Sequence, residues 1–296
     1  MTERTRPPKP SSPIDRSRRD FVALSVATGL GAAAHPAVAA LAVSERDVQI
    51  KTSDGTCDAA FFHPASGVHA AVLVWPDAAG LRPAMRDIGR RLAGDGYAVL
   101  VPNPFYRVGK SPMFESAANI DFSDPATRAK IGPLMSSVTS SGAAERDAAA
   151  YVAFLDAQPQ VDRARKAGVQ GYCMGGALTF RTAAALPERI GGAASFHGGG
   201  LVTDKPDSPH RLVPRMHARV YVGVAANDDQ RQPDAKDQLR EAFAAAKLPA
   251  EVEVYPARHG WCVPDMPKEA GAPIYSAPDA ERAWSKLLAL YRTALA

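Results

Sequence analysis

Residues 171–176 read GYCMGG, between RKAGVQ on one side and ALTFRTAAAL on the other. A strand-like run gives way to a helix-like one at this point, and a cysteine stands between glycines at the change. The spacing is that of the nucleophile elbow GxSxG, with sulfur in place of the hydroxyl oxygen. Small neighbours meet a steric demand, because a nucleophile on so sharp a turn leaves no room for side chains beside it. A helix beginning at the cysteine turns its positive end toward the sulfur and favours thiolate over thiol. Gly-rich turns of this kind also bind phosphate, but GYCMGG has neither the lysine of a P-loop nor the spacing GxGxxG. The competing reading of Cys173 is a small buried apolar residue, and the rest of the chain decides between the two.

Working outward, strand-like and helix-like segments alternate. VQIKT and CDAAFFHP suggest an antiparallel opening pair; HAAVLVWP, YAVLVP, KAGVQGY, IGGAASFHG, ARVYVGVAA and AEVEVYP read as strands. PAMRDIGRRLAGDG, AAERDAAAYVAFLDAQ, GGALTFRTAAAL, residues 234–246 and DAERAWSKLLALYRTAL read as helices. This alternation predicts one α/β domain over residues 40–296, a mostly parallel sheet with helices on both faces. Residues 103–142 stand apart, with Pro104, Pro112, Pro125 and Pro133 among scattered large apolar residues. A connection of that length is usually functional or holds short helices of its own; it is read here as a lid or pocket wall.

A thiol nucleophile needs a base, and the base an orienting group. YVGVAANDDQRQP ends a strand with Asp228 and Asp229, and VEVYPARHGWCVPD ends the next with His259. Nucleophile, acid, histidine is the chain order of the α/β-hydrolase fold, each just past the C-terminal end of a strand, where parallel sheets place their sites. Either aspartate suits the loop. His35, His63, His69, His210 and His217 read as leader, turn or surface residues, whereas His197 in SFHGGG follows a strand end near the elbow and suits a pocket lining.

The chain has 296 residues, 46% hydrophobic and 22% charged, enough to bury a large core. Its net charge of +4 owes much to residues 1–39, which hold six basic and three acidic residues; without them it is +1. No basic stripe with interleaved aromatics remains, which excludes nucleic acid as the expected partner. Cys57, Cys173 and Cys262 are too few for a disulfide framework and lack zinc-site spacing, so no metal is expected. The leader runs from a Pro/Arg-rich opening through SRRDFVA, with Arg18 and Arg19, to an alanine-rich apolar run ending in Ala37-Val38-Ala39. That order predicts a twin-arginine export signal, hence a periplasmic or secreted bacterial protein handled by export machinery and not anchored in a membrane after processing.

Taken together, GxCxGG, the aspartate around 228, HGW, LVWPDAAG and YAVLVPNPFYR resemble the dienelactone hydrolase family, from about Val48 to the C-terminus. The resemblance implies an α/β hydrolase that opens lactones or cleaves esters without a cofactor, through a Cys-His-Asp triad: Cys173 as nucleophile, His259 as base, Asp228 as orienter. It further implies an acid at Asp77 that helps to form the thiolate, although family members carry the longer glutamate there. The N–H groups of Ala78 and Met174 would form the oxyanion hole and Arg107 would bind a substrate carboxylate; Trp261 of HGW, and His197 by its place near the elbow, are further candidates for substrate contact. Two departures shift the expected substrate away from a dienelactone carboxylate: Val263 stands where a second carboxylate-binding arginine is expected, and His197 replaces the tyrosine of FYG.

A glutamine amidotransferase also uses a cysteine elbow, but its carboxylate comes two residues after the histidine, where this chain has Trp261. A secreted binding protein that kept the fold and lost the chemistry is the non-enzymatic alternative. The sequence also sets Cys262 three residues beyond His259, which raises the question of a reversible disulfide with Cys173.

Overall fold

The computed structural model describes residues 41–121, 124–269 and 271–296; the expected export leader lies outside them. Chain order runs β1 (Val43–Thr52), β2 (Gly55–Pro64), β3 (Ala71–Trp75), α1 (Pro83–Gly94), β4 (Ala98–Pro102), α2 (Pro125–Thr139), α3 (Ala143–Asp156), β5 (Ala167–Tyr172) and α4 (Met174–Ala185). It continues with β6 (Ile190–Phe196), a short α5 (Pro209–Leu212), β7 (Arg219–Ala225), α6 (Ala226–Arg231), α7 (Ala235–Ala245), β8 (Ala250–Tyr255), a small ribbon of β9 (Lys268–Glu269) and β10 (Ala272–Pro273), and α8 (Ala277–Ala294).

Among the described residues, eight strands form one sheet in the order β1-β2-β4-β3-β5-β6-β7-β8. β1 and β2 pair antiparallel, β2 meets β4 antiparallel, and every later pairing is parallel. The central strands read as continuous apolar runs because both faces are covered. Successive residues of β3 divide between the two sides: Leu73 joins the core beneath α3 and α4, while Val72 and Val74 join the one beneath α1 and α8. α1 starts on Pro83, whose missing N–H costs nothing at a first helical position, and buries Met85, Ile88 and Leu92 on one face. α8 does the same with Ala280, Ala283, Trp284, Leu287 and Tyr291.

The long connection 103–142 contains a 15-residue helix, α2, as well as a 3-10 turn at Ala117–Asn119. Asp124 caps α2 by accepting the N–H groups of Ala126 and Thr127. Its buried stripe is thin, only Ile131, Leu134 and Val138, which is why Pro125 and Pro133 dominate the sequence reading. No helix among the described residues is long and apolar enough to cross a membrane.

Candidate active site

The parallel strands bring five loops together at their C-terminal ends: those after β3 (Asp77), β5 (Cys173), β6 (His197), β7 (Asp228) and β8 (His259). Cys173 is the single residue between β5 and α4 and holds φ 53, a left-handed conformation that costs a non-glycine residue energy and is found where function requires it. The flanking glycines make the turn possible. A Cβ on Gly171 would lie 2.0 Å from the Gly175 carbonyl oxygen, and one on Gly175 would lie 2.4 Å from that of Trp75. The elbow is thus wedged between its own helix and the end of β3.

His259 lines the same cavity as Cys173 and is coupled to it by charge, and its Nδ1 lies 2.6 Å from Asp228 Oδ2. The two aspartates left open by the sequence point in different directions, since both lie in α6, which begins at Ala226 and rotates successive side chains by about 100°. Asp228 faces His259, while Asp229 pairs with Lys236 at 2.8 Å. Asn227 Oδ1 accepts the His259 N–H at 2.8 Å, so α6 holds both ring and backbone of the histidine. Burial opposes protonation of His259, but the adjacent Cys173 and Asp228 outweigh it and push its pKa up from 6.5 to about 10.

His197 is buried and left-handed, with φ 41. Its Nδ1 accepts the Cys173 N–H at 3.1 Å, which leaves the proton of the neutral ring on Nε2. Burial, followed by the neighbouring His259, drives its pKa well below the ordinary histidine value. The ring meets His259 edge-on at 4.8 Å between centroids.

These residues open onto a cavity of about 730 Å³. Asp77, Ala78, Cys173, His197 and His259 line it with the wall at residues 117–121, and Met266, Pro267 and Ile274 add apolar surface on the far side. Part of the long connection therefore walls this cavity. The Ala78 and Met174 N–H groups donate to no protein acceptor among the described residues; Met174 is the first residue of α4, where N–H groups have no intrahelical partner.

Residues 57–295 match the sequence model of the dienelactone hydrolase family. The chain belongs to that family. A Methylorubrum extorquens protein assigned to the carboxymethylenebutenolidases is 30% identical over 93% of this chain and 92% of its own. The carboxymethylenebutenolidase of Rhodococcus opacus is 26% identical over 70% of this chain and 77% of its own. A Klebsiella pneumoniae structure assigned as a dienelactone hydrolase superposes with a TM-score of 0.70 at 24% identity, covering 85% of this chain and 99% of that one. The dienelactone hydrolase family member described here is thus a hydrolase with the α/β-hydrolase fold.

Three expected roles meet a different geometry in this hydrolase. Asp77 lines the cavity with Cys173, but both its carboxylate oxygens are held by Arg82, at 2.7 and 2.9 Å, and Oδ1 also accepts the Ala79 N–H. Arg107 lies off the cavity. It is bound through two nitrogens to Asp147, each at 2.8 Å, and to Asp54 at 2.6 Å, so its donors are spent on two carboxylates of its own chain. Trp261 lies behind the lining, fully buried, stacked on Tyr255 at 4.7 Å and edge-on to His197 at 5.2 Å. Cys262 faces a second, small cavity with Tyr172, Phe196 and Trp284, whereas Cys173 opens onto the large one; no disulfide joins them.

Arg82 and Asp265, bound to each other, with Arg82 also holding the Asp77 carboxylate beside the cavity lining, form a cluster that the sequence does not reveal. They are 183 positions apart, and no motif links them. Replacing Arg107 with alanine is expected to act on stability instead of selectivity. It removes the countercharge of Asp147, whose side chain has no exposed surface, at a cost of about 3 kcal/mol. Denaturant unfolding checks the first expectation. Equal KM changes for a carboxylated ester and its neutral analogue check the second.

Proposed function

We propose that this hydrolase cleaves esters or lactones by nucleophilic catalysis, with Cys173 as nucleophile, His259 as acid and base, and Asp228 as orienter. The observation that carries the reading is the convergence of Cys173 and His259 on one open cavity, with His259 hydrogen-bonded through Nδ1 to Asp228 and coupled by charge to the sulfur. A protonated imidazole beside the sulfur stabilises the thiolate. The thiolate attacks the acyl carbon, and the carbonyl oxygen gains charge where the Ala78 and Met174 N–H groups are free to donate. His259 then gives its proton to the departing alkoxide. The resulting thioester is opened by water, from which His259 takes a proton, and Asp228 stabilises the imidazolium in both halves.

With Arg107 bound to its own acids and Val263 fully buried, neither position expected to bind a substrate carboxylate does so. Ala79, Ala117, Ile120, Met266 and Ile274 give the cavity an apolar wall that suits an uncharged acyl or alcohol group, beside Arg231, Lys268 and Glu269 in the same lining. Hydrolysis of p-nitrophenyl acetate, stopped by prior treatment with iodoacetamide, tests the thiol mechanism; full activity after complete alkylation of Cys173 would refute it.

The raised pKa of His259 carries a pH prediction. The proton it must give to the leaving group is present below its folded pKa and lost above it. Acylation is therefore expected to hold through neutral pH and to fall on the alkaline side near pH 10. A pH profile of kcat/KM measures this, and an alkaline fall near 6.5 would contradict the thiolate–imidazolium pairing.

The leader sequence supports a reading of export to the periplasm by the twin-arginine route. Changing Arg18 and Arg19 to lysine is expected to hold the enzyme in the cytoplasm, because the receptor recognises arginine at both positions; cell fractionation reads the outcome.

A further inference from the structure

Arg82 has no exposed side-chain surface. Its five N–H donors all have partners. Nη1 and Nη2 meet the two oxygens of Asp77 at 2.7 and 2.9 Å, Nε and Nη2 meet those of Asp265 at 2.7 Å each, and Nη1 also reaches the Gly80 carbonyl at 3.2 Å. Two carboxylates thus share one guanidinium in a buried place, an arrangement that contributes little net stability and a great deal of fixed geometry.

Three segments are joined through this one side chain. Asp77 and Gly80 belong to the turn after β3, and inside that turn the Asp77 carboxylate accepts the Ala79 N–H while its carbonyl accepts that of Gly80 at 2.9 Å. Asp265 belongs to the loop that carries His259. Its Oδ2 also accepts the Ala117 N–H at 3.0 Å, which ties in the cavity wall. Ala79 then packs with Ala117, Ile120 and Ile131 in a small apolar cluster of their own. Ala78, whose N–H faces no protein acceptor, is the residue that this clamp surrounds.

We infer that Arg82 and Asp265 are positioning residues that hold the turn 77–80 so that the Ala78 N–H points at the developing oxyanion, with Asp77 as the anchor of Arg82 and not an activator of the thiol. The inference rests on the proposed thiol mechanism and adds to it the parts that set its oxyanion donor.

The test compares two reactions of the same sulfur. Ester hydrolysis passes through an oxyanion. Alkylation by iodoacetamide does not: the thiolate displaces iodide from a saturated carbon, forming S–C as C–I breaks. Burial raises the thiols of Cys57, to about 12, and of Cys262, and because Cys262 is partly exposed the rate is read by mass spectrometry at Cys173 alone. In Arg82→Met, kcat for p-nitrophenyl acetate is expected to fall by about 100-fold, the lower end of the range for losing an oxyanion donor, and in Asp265→Asn by about 10-fold, a partial misalignment short of that loss. Arg82→Lys, which keeps the charge without the fork, should fall between them. The alkylation rate should stay within about twofold of wild type in all three, as thiolate formation does not need that donor. Arg82→Met leaves two buried carboxylates without a countercharge; should it fail to fold, the other two variants decide. Hydrolysis and alkylation falling in parallel would overturn the inference in favour of thiol activation, as would an unchanged kcat in Asp265→Asn and Arg82→Lys. Wild-type enzyme that stays active after Cys173 is fully alkylated would instead refute the thiol mechanism, and this inference with it.

Discussion

Cys173→Ala is expected to lower kcat for p-nitrophenyl acetate by about 10⁴-fold or more, leaving only what cavity binding and the oxyanion donors supply to attack by water. The size of the effect follows from the geometry. His259 faces the same cavity as this sulfur and is hydrogen-bonded to Asp228, so without the thiol the base has no protein nucleophile to serve. Neither remaining cysteine can replace it: Cys57 is buried beside Asn103 and Tyr151, and Cys262 opens onto the other cavity. Stability should change little, because the lost atom is partly exposed and alanine tolerates the turn about as well as cysteine. Thermal unfolding beside steady-state kinetics separates loss of chemistry from loss of fold. An alanine variant with the wild-type rate would make the sulfur a bystander.

The sequence makes the elbow legible because steric demand is local. Gly171 and Gly175 are required by atoms of their own turn and of the adjoining strand end, and the apolar strands on either side are recognisable from composition alone. The same holds for α1 and α8, where the buried stripe repeats at helical spacing. What escapes is whatever depends on partner choice in space. Arg107 matches its family position in sequence, yet Asp54 and Asp147 claim its donors from 53 and 40 residues away. Asp77 likewise matches by position, but Arg82 five residues on takes its carboxylate. The clamp between Arg82 and Asp265 has no local signal at all. Trp261 looks like a pocket residue beside the histidine, whereas the turn that carries the Trp261 N–H to the Arg258 carbonyl folds its indole back onto Tyr255.

Asp228→Asn is expected to cost about 10³-fold in kcat, while Asp229→Asn stays within about twofold of wild type, a contrast that the sequence DD cannot provide by itself. A carboxylate at 228 accepts the Nδ1 proton of His259 at 2.6 Å, which fixes the ring so that Nε2 faces the sulfur and stabilises the imidazolium. The amide that replaces it brings an N–H group of its own, so the ring can be held in the wrong tautomer, the cause of losses of up to about 10⁴-fold in hydrolase triads of this kind. It also removes one of the charges that hold the His259 proton, so the alkaline fall in kcat/KM should move down from about 10 toward the ordinary histidine value. Asp229 points along the other side of α6 to Lys236, and both partners keep about a quarter of their side chains in solvent. An ion pair of that exposure contributes at most about 1 kcal/mol to stability, and neither partner touches the histidine. The pair of variants thus reads direction as well as size: Asp228→Asn alone should move the pH limb, and Asp229→Asn alone should register only in unfolding. If the two results were exchanged, α6 would have to present its other face in the working enzyme, and the orienting role would pass to Asp229.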